Sequence, residues 1–105
     1  MKRGEVWDAD LSLPAKPRPV LILSRDSMPA SRPEITVAYL TTKPRNRRVE
    51  VTLTVADDGV KRDSVVNLDS INTISKNLLV KRICKISPTK MDEVKEAILE
   101  AFDMK

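Results

Sequence analysis

"KPRPVLILSRD", residues 16–26, places the apolar run Val20-Leu21-Ile22-Leu23 directly behind two prolines that hold Arg18 between them. Proline lacks the amide that a central sheet position needs, so it is tolerated at a strand's entrance, where Pro19 stands. The run behind it is short, aliphatic and rich in β-formers, the pattern of a strand at the centre of a sheet. The fold therefore turns on what flanks this strand.

Upstream, "RGEVWDADL" alternates over Glu5–Asp10 with the period of a half-buried strand, and "SLPAKP" forms a loop with two prolines. Downstream, "DSMPASRPE" breaks the chain before a third strand, "ITVAYLTT". "KPRNRR" reads as the basic tip of a hairpin leading into "VEVTLTV", where Val49, Val51, Leu53 and Val55 alternate with Glu50, Thr52 and Thr54. "ADDGVKRD" turns at Asp58-Gly59, and "SVVNLDSINTIS" and "LVKRICKI" add extended pieces on either side of "KNL". The period changes only near the end. Ser87-Pro88 reads as an N-cap followed by proline in the first helical turn, and Met91, Val94, Ile98 and Phe102 mark one helical stripe. Five to seven strands closed by one helix predict a mostly antiparallel α+β domain or small barrel over residues 1–105. A parallel sheet would need alternating helices, which residues 1–86 do not offer.

With 105 residues, 41% of them hydrophobic, the chain can bury one modest core without disulfides. The single cysteine, Cys84, excludes an internal disulfide, and its apolar strand context reads as a small buried hydrophobe. Charges crowd Met1–Asp10 where a leader would need apolar residues, and no apolar run approaches the ~20 residues of a membrane span; a cytoplasmic location is expected. Nineteen Lys and Arg against fifteen Asp and Glu permit a polyanionic partner. The absence of histidine removes the commonest metal ligand and the side chain that titrates near neutrality. Two glycines cannot build a phosphate-cradling loop, so triphosphate chemistry is not expected. Trp7, Tyr39 and Phe102 are too scattered for a base-stacking platform, and an RNA partner would be gripped by charge and hydrogen bonds.

Lys43, Arg45, Arg47 and Arg48 cluster beside Thr41 and Thr42, whose hydroxyls can donate to phosphate oxygens. Charge alone favours a solvated turn; Lys16 and Arg18 add weight to function if the fold brings both loops to one rim. Arg18 is the sharpest candidate, because its prolines restrict the backbone and a guanidinium fork matches two phosphate oxygens at any working pH. Between Asp63 and Thr73, Asn67, Asp69, Ser70 and Asn72 form a dense set of hydrogen-bonding side chains. Asp63 suits local capping after a turn, and Asp69 is the better chemical candidate.

Taken in order, "RGEVW" followed by Asp10, "RPVLILS", "VAYLT" and "DSVVNLDSINTISKNLL" before a terminal helix resemble the MazF/PemK (Kid) toxins of bacterial toxin–antitoxin systems. The resemblance covers nearly the whole chain. It implies an SH3-like antiparallel barrel of CcdB/PemK type with a C-terminal helix, and a homodimer. It further implies cofactor- and metal-independent cleavage of single-stranded mRNA, and neutralisation by a cognate MazE-like antitoxin whose disordered tail occupies the RNA groove. By motif position, Arg18, Thr41 and Asp69 correspond to catalytic residues, Asp69 to a carboxylate proposed as base in the Kid branch. Lys16, Thr42, Lys43, Arg45 and Arg47 would track the backbone, with Ser70 and Asn72 choosing bases. The chain departs from the family in its short first loop, "LSLPAKP", which lacks a Gly-x-Glu-Gln stretch, and in Asn67, where the Kid branch has arginine. Related toxins such as CcdB poison gyrase instead, so a gyrase-directed toxin or a non-catalytic RNA binder is the alternative expectation.

Overall fold

The computed structural model describes residues 1–11, 17–45 and 48–105. Six strands form one antiparallel sheet: β1 (Glu5–Ala9), β2 (Arg18–Ile22), β3 (Glu34–Thr41), β4 (Glu50–Leu53), β5 (Ser64–Ser75) and β6 (Leu79–Lys85). Their order is β4-β5-β3-β2-β1-β6, that of the mostly β, SH3-like fold expected, and among the described residues hydrogen bonding does not close the sheet into a barrel. A one-turn helix, α1 (Val55–Asp58), precedes β5, and α2 (Pro88–Ala101) follows β6.

β3 is the structural middle. Its alternation sends Ile35 and Val37 into one buried cluster, with Ala9, Val20, Ile22 and Leu79, and sends Ala38 and Leu40 into the other. That second, larger cluster gathers Val6, Leu21, Val51, Leu53, Val66 and Leu68 beneath α2, which contributes Val94 and Ala97. Strands covered on both faces explain the continuous apolar run Val20–Leu23 behind Pro19.

Three expectations need correction. β3 and β4 are not a hairpin, because β5 lies between them and pairs with both. A period of two reveals which residues share a face and is silent about which strand is the neighbour. Val55 does not continue β4. It opens α1, since Thr54 caps that turn by accepting from the Asp57 amide (3.1 Å), while Asp63 accepts from the Val55 amide (2.8 Å). Gly59, with φ of 83°, ends α1 in the left-handed conformation. Phe102 lies just beyond α2 and is exposed; Val94 and Ala97 carry the packing instead. Ser87 caps α2 as expected, accepting from the Lys90 amide at 3.1 Å.

β1 is fastened to its neighbours by charge as well as by its ladder. Glu5 accepts from the Lys2 amide (2.8 Å), the Trp7 indole (3.1 Å) and Arg82 Nε on β6 (2.9 Å). Burial alone would push this carboxyl up, but those hydrogen bonds and the nearby N-terminal charge bring it down to about 2 from its ordinary 4.5. A carboxyl depressed on folding stabilises the protein above its unfolded pKa, and that contribution is lost as pH falls from 4.5 toward 2. Denaturant titrations should show about 3 kcal/mol of this acid-sensitive stability, on the scale of ~1.4 kcal/mol per pH unit. Glu5→Gln should be less stable at pH 7 and nearly flat across the same window; a parallel pH profile in the variant would refute the assignment.

Candidate functional site

The sheet's open end forms a cleft of about 560 Å³. Its floor is apolar, made by Val6, Leu40, Val60 and Ile83, and its rim carries Arg18, Thr41, Thr42, Lys61 and Arg62. Asp8 and Ser64, the two buried polar side chains among the described residues, also line it. A cationic rim over an apolar floor meets an anion where nearby water is reduced, which strengthens each charge–charge contact.

Strand register sets Arg18. Ala9 pairs with Arg18 across β1 and β2, and Val20 pairs with Tyr39 across β2 and β3, so Arg18 shares a face with Tyr39. Its guanidinium carbon lies 5.5 Å from the Tyr39 ring centroid, within cation–π range, and Nη2 reaches the Leu40 carbonyl at 3.5 Å. Among the described residues no carboxylate pairs with it, so the rest of its donor fork is available to an anion. Thr41 ends β3 at the same rim. Its hydroxyl oxygen accepts from the Lys43 amide (3.2 Å), which leaves the O–H proton to donate elsewhere.

The basic segment after β3 runs outward from the cleft. Thr42 lines the rim, while Lys43 and Arg45 are exposed beyond it. Glu50 anchors the segment by accepting from the Arg45 amide at 3.0 Å, and Arg48 turns toward Glu100 of α2. Lys16 and Arg47, expected to follow a backbone here, lie outside the described residues.

Asp69, Ser70 and Asn72 belong to a different part of the surface. Between the pairs Ala38–Ile71 and Tyr39–Asn67, β5 carries Leu68, Asp69 and Ser70 without a partner on β3. This bulge buries Leu68 in the core and exposes Asp69. Asn67 and Asn72 then flank the bulge on Tyr39's face: Asn72 Nδ2 donates to the Tyr39 hydroxyl (3.1 Å), and Asn67 Nδ2 to Ser70 Oγ (3.3 Å). Tyr39 thus links Arg18 on one side to this polar strip on the other. Asp69 stands two strands from Arg18 in the sheet order and does not line the cleft.

Asp8, Lys61, Arg62 and Ser64 were missed by the sequence reading. A signal existed for Asp8, since in "EVWDAD" it shares its period with buried Val6 and so points inward. The other three sit in a segment whose pattern signals only a turn or the start of a strand. Cys84 is half-buried against the larger cluster; burial and the charge of Asp58 push its thiol up against the opposing effect of Arg82, so it is a poor nucleophile.

The site combines a cationic rim with a strip of amides and hydroxyls on one sheet. The model of the PemK-like, MazF-like toxins of type II toxin–antitoxin systems matches residues 2–102, and the chain belongs to that family. It is 37% identical over 93 residues to the probable endoribonuclease MazF2 of Mycobacterium tuberculosis, covering 89% of each chain. The solved M. tuberculosis toxin MazF-mt6 superposes with a TM-score of 0.86 at 34% identity, over 96% of this chain and 98% of that one. A mycobacterial endoribonuclease solved with its cognate antitoxin superposes at 0.87 with 25% identity, over 100% and 97%. Among the described residues no helix is long and apolar enough to cross a membrane.

Tyr39 offers a direct check of how Arg18 is held. Tyr39→Phe keeps the ring beneath the guanidinium and should bind a single-stranded oligonucleotide nearly as well as the parent. Tyr39→Leu removes the π face and should weaken binding about two- to fivefold by fluorescence anisotropy, the range expected of an exposed cation–π contact. Equal affinities for the two variants would refute that role of the ring.

Proposed function

We propose that the protein is a sequence-specific endoribonuclease toxin that cuts single-stranded mRNA in the cytoplasm, acts as a homodimer and is neutralised by a cognate MazE-like antitoxin. The observation that carries the reading is that Arg18 and Thr41, far apart in sequence, line one cleft. Close relatives named as endoribonucleases and a neighbour solved with its antitoxin support it.

In this reading the RNA's own 2′-oxygen attacks the adjacent phosphorus and the P–O5′ bond breaks, leaving a 2′,3′-cyclic phosphate and a 5′-hydroxyl. The proton lost by the 2′-hydroxyl goes to a base, and the departing O5′ takes one up. The reaction is a displacement at phosphorus within the substrate, so the protein's work is positioning and charge stabilisation. Arg18, fixed by Pro17, Pro19 and the Tyr39 ring, meets the charge developing on the phosphoryl oxygens. Thr41 donates its hydroxyl proton to the same phosphate. Thr42, Lys43 and Arg45 carry the backbone away from the cleft, with Lys16 and Arg47 assigned the same task. Ser70 and Asn72 present hydrogen-bonding groups to unstacked bases.

Asp69 is the proposed proton acceptor inherited from the resemblance. Its place on the β5 bulge equally suits it to accept from the amino group of a base. Asp69→Asn separates the roles: a base loses kcat by orders of magnitude with the cut motif unchanged, whereas a base-reading group keeps kcat and alters the motif.

The primary test incubates purified toxin, free of antitoxin and in EDTA, with a long unstructured RNA and maps the new 5′ ends. Discrete cuts bearing 5′-hydroxyls are expected. Arg18→Ala should lower kcat by roughly 10²- to 10³-fold, the typical cost of removing one transition-state donor. Thr41→Ala should cost about 10- to 100-fold, as for one hydrogen bond to a charged group. Full activity in Arg18→Ala, or dependence on added metal, would overturn the mechanism.

A further inference from the structure

The buried carboxylate of the cleft has no task in the mechanism above. Asp8 lies on the inward face of β1 with its side chain 12% exposed, and its Oδ2 is 2.5 Å from Lys61 Nζ. Lys61 itself is largely solvent-facing, at 60%. The backbone holds this lysine from both sides: Val60, immediately before it, is buried in the larger cluster. Ser64, buried after it, donates from Oγ to the Arg62 carbonyl at 2.8 Å. A turn pinned at both ends thus carries Lys61 and Arg62 to the lining of the cleft that also holds Arg18.

Resting on the reading of Arg18 as the residue at the scissile phosphate, we propose that Lys61 contacts a neighbouring phosphate of the same RNA strand and that Asp8 is its positioning residue. An ammonium has three donors, and the bond to Asp8 uses one, so two remain to reach an anion. A long, flexible lysine on an exposed turn would otherwise spend most of its time in solvent. The carboxylate draws the ammonium over the cleft instead. Two cations lining one cleft, each tethered by a neighbouring group, suit successive phosphates of one strand. Placing an anion in a polyanion-binding cleft opposes binding by charge alone, and positioning of Lys61 is the benefit that offsets it.

That conflict of signs supplies the test. The probe is a random-sequence single-stranded DNA oligonucleotide, which presents phosphates without the 2′-hydroxyl and cannot be cut. Lys61→Gln should weaken binding and reduce the slope of log affinity against log salt by about 0.7, the value for one phosphate contact on a single strand. Lys61→Arg should keep the slope. Asp8→Asn raises the net charge by one, so charge alone predicts tighter binding, whereas positioning predicts binding weakened severalfold. In cleavage assays both Lys61→Gln and Asp8→Asn should raise KM with kcat little changed.

An unchanged salt slope in Lys61→Gln would overturn the phosphate contact, and tighter binding by Asp8→Asn would overturn the positioning role. Loss of kcat at constant KM in Asp8→Asn would make Asp8 a proton acceptor and overturn that role as well. Should Asp8→Asn fail to fold by circular dichroism, the comparison of Lys61→Gln with Lys61→Arg still decides the contact. Normal cleavage by Arg18→Ala together with a reduced slope in Lys61→Gln would reject the assignment of Arg18 while leaving this one standing.

Discussion

The constraint on which the structure depends is that β3 is buried on both faces and paired along both edges. Ile35 and Val37 belong to one cluster, Ala38 and Leu40 to the other, so a one-residue slip would exchange two complete sets of core contacts. That penalty fixes the register with β2 and β5, and the site follows from it. Val20 opposite Tyr39 sets Arg18 over the ring; Asn67 opposite Tyr39 begins the polar strip. Thr41 reaches the rim because the strand ends there. The bulge of Leu68–Ser70 is where β5 reconciles two demands, a leucine for the core and hydrogen-bonding groups for the surface.

Electrostatics acts on a narrower scale than the net charge suggests. β1 carries two largely buried carboxylates, Glu5 and Asp8, and each takes a basic partner from another element, Arg82 of β6 and Lys61 of the turn before β5. Removing the basic partner of either pair costs more than the pair's formation gains, because it leaves the carboxylate charge largely away from water. The first pair ties an edge strand to the sheet; the second crosses the cleft. One strand thus contributes both to holding the edge of the sheet and to the electrostatics of the site.

Much of this was legible in the sequence, and the illegible parts share a cause. Pro19 at a strand entrance, the alternation of Val51 and Leu53, and the Ser87 cap are local signals with local outcomes, and the structure agrees with them. The supposed hairpin between β3 and β4 required knowledge of partners, which only long-range pairing supplies. The short helix at Val55 was hidden because a β-branched residue in phase with a strand can still be captured by a threonine cap and a downstream aspartate. For the site, Arg18, Thr41 and Thr42 meet in the cleft as the two-loop rim required. Asp69 stands apart from them for the same reason that the hairpin failed: the insertion of β5 beside β3 moves that segment to the far side of Tyr39.

On the proposed function, a histidine-free chain would cut RNA without the side chain best suited to move protons at neutral pH. The geometry suggests how the demand is reduced. When the nucleophile belongs to the substrate, rate depends on aligning it in line with the leaving oxygen, and alignment is governed by how many phosphates are held and how rigidly. Arg18 is restrained by prolines and an aromatic face, and Lys61 by a buried carboxylate and a turn pinned at Val60 and Ser64. Restraint of this kind costs little at the moment of reaction, because it was established on folding. In the proposed function the polar strip on β5 would act on the same alignment from a distance: a base that satisfies Ser70 and Asn72 would set the register of the strand, and only certain registers would bring a 2′-hydroxyl into line over the cleft. Sequence specificity and catalysis are in this view one problem of register, solved by a sheet whose own register is fixed by its core.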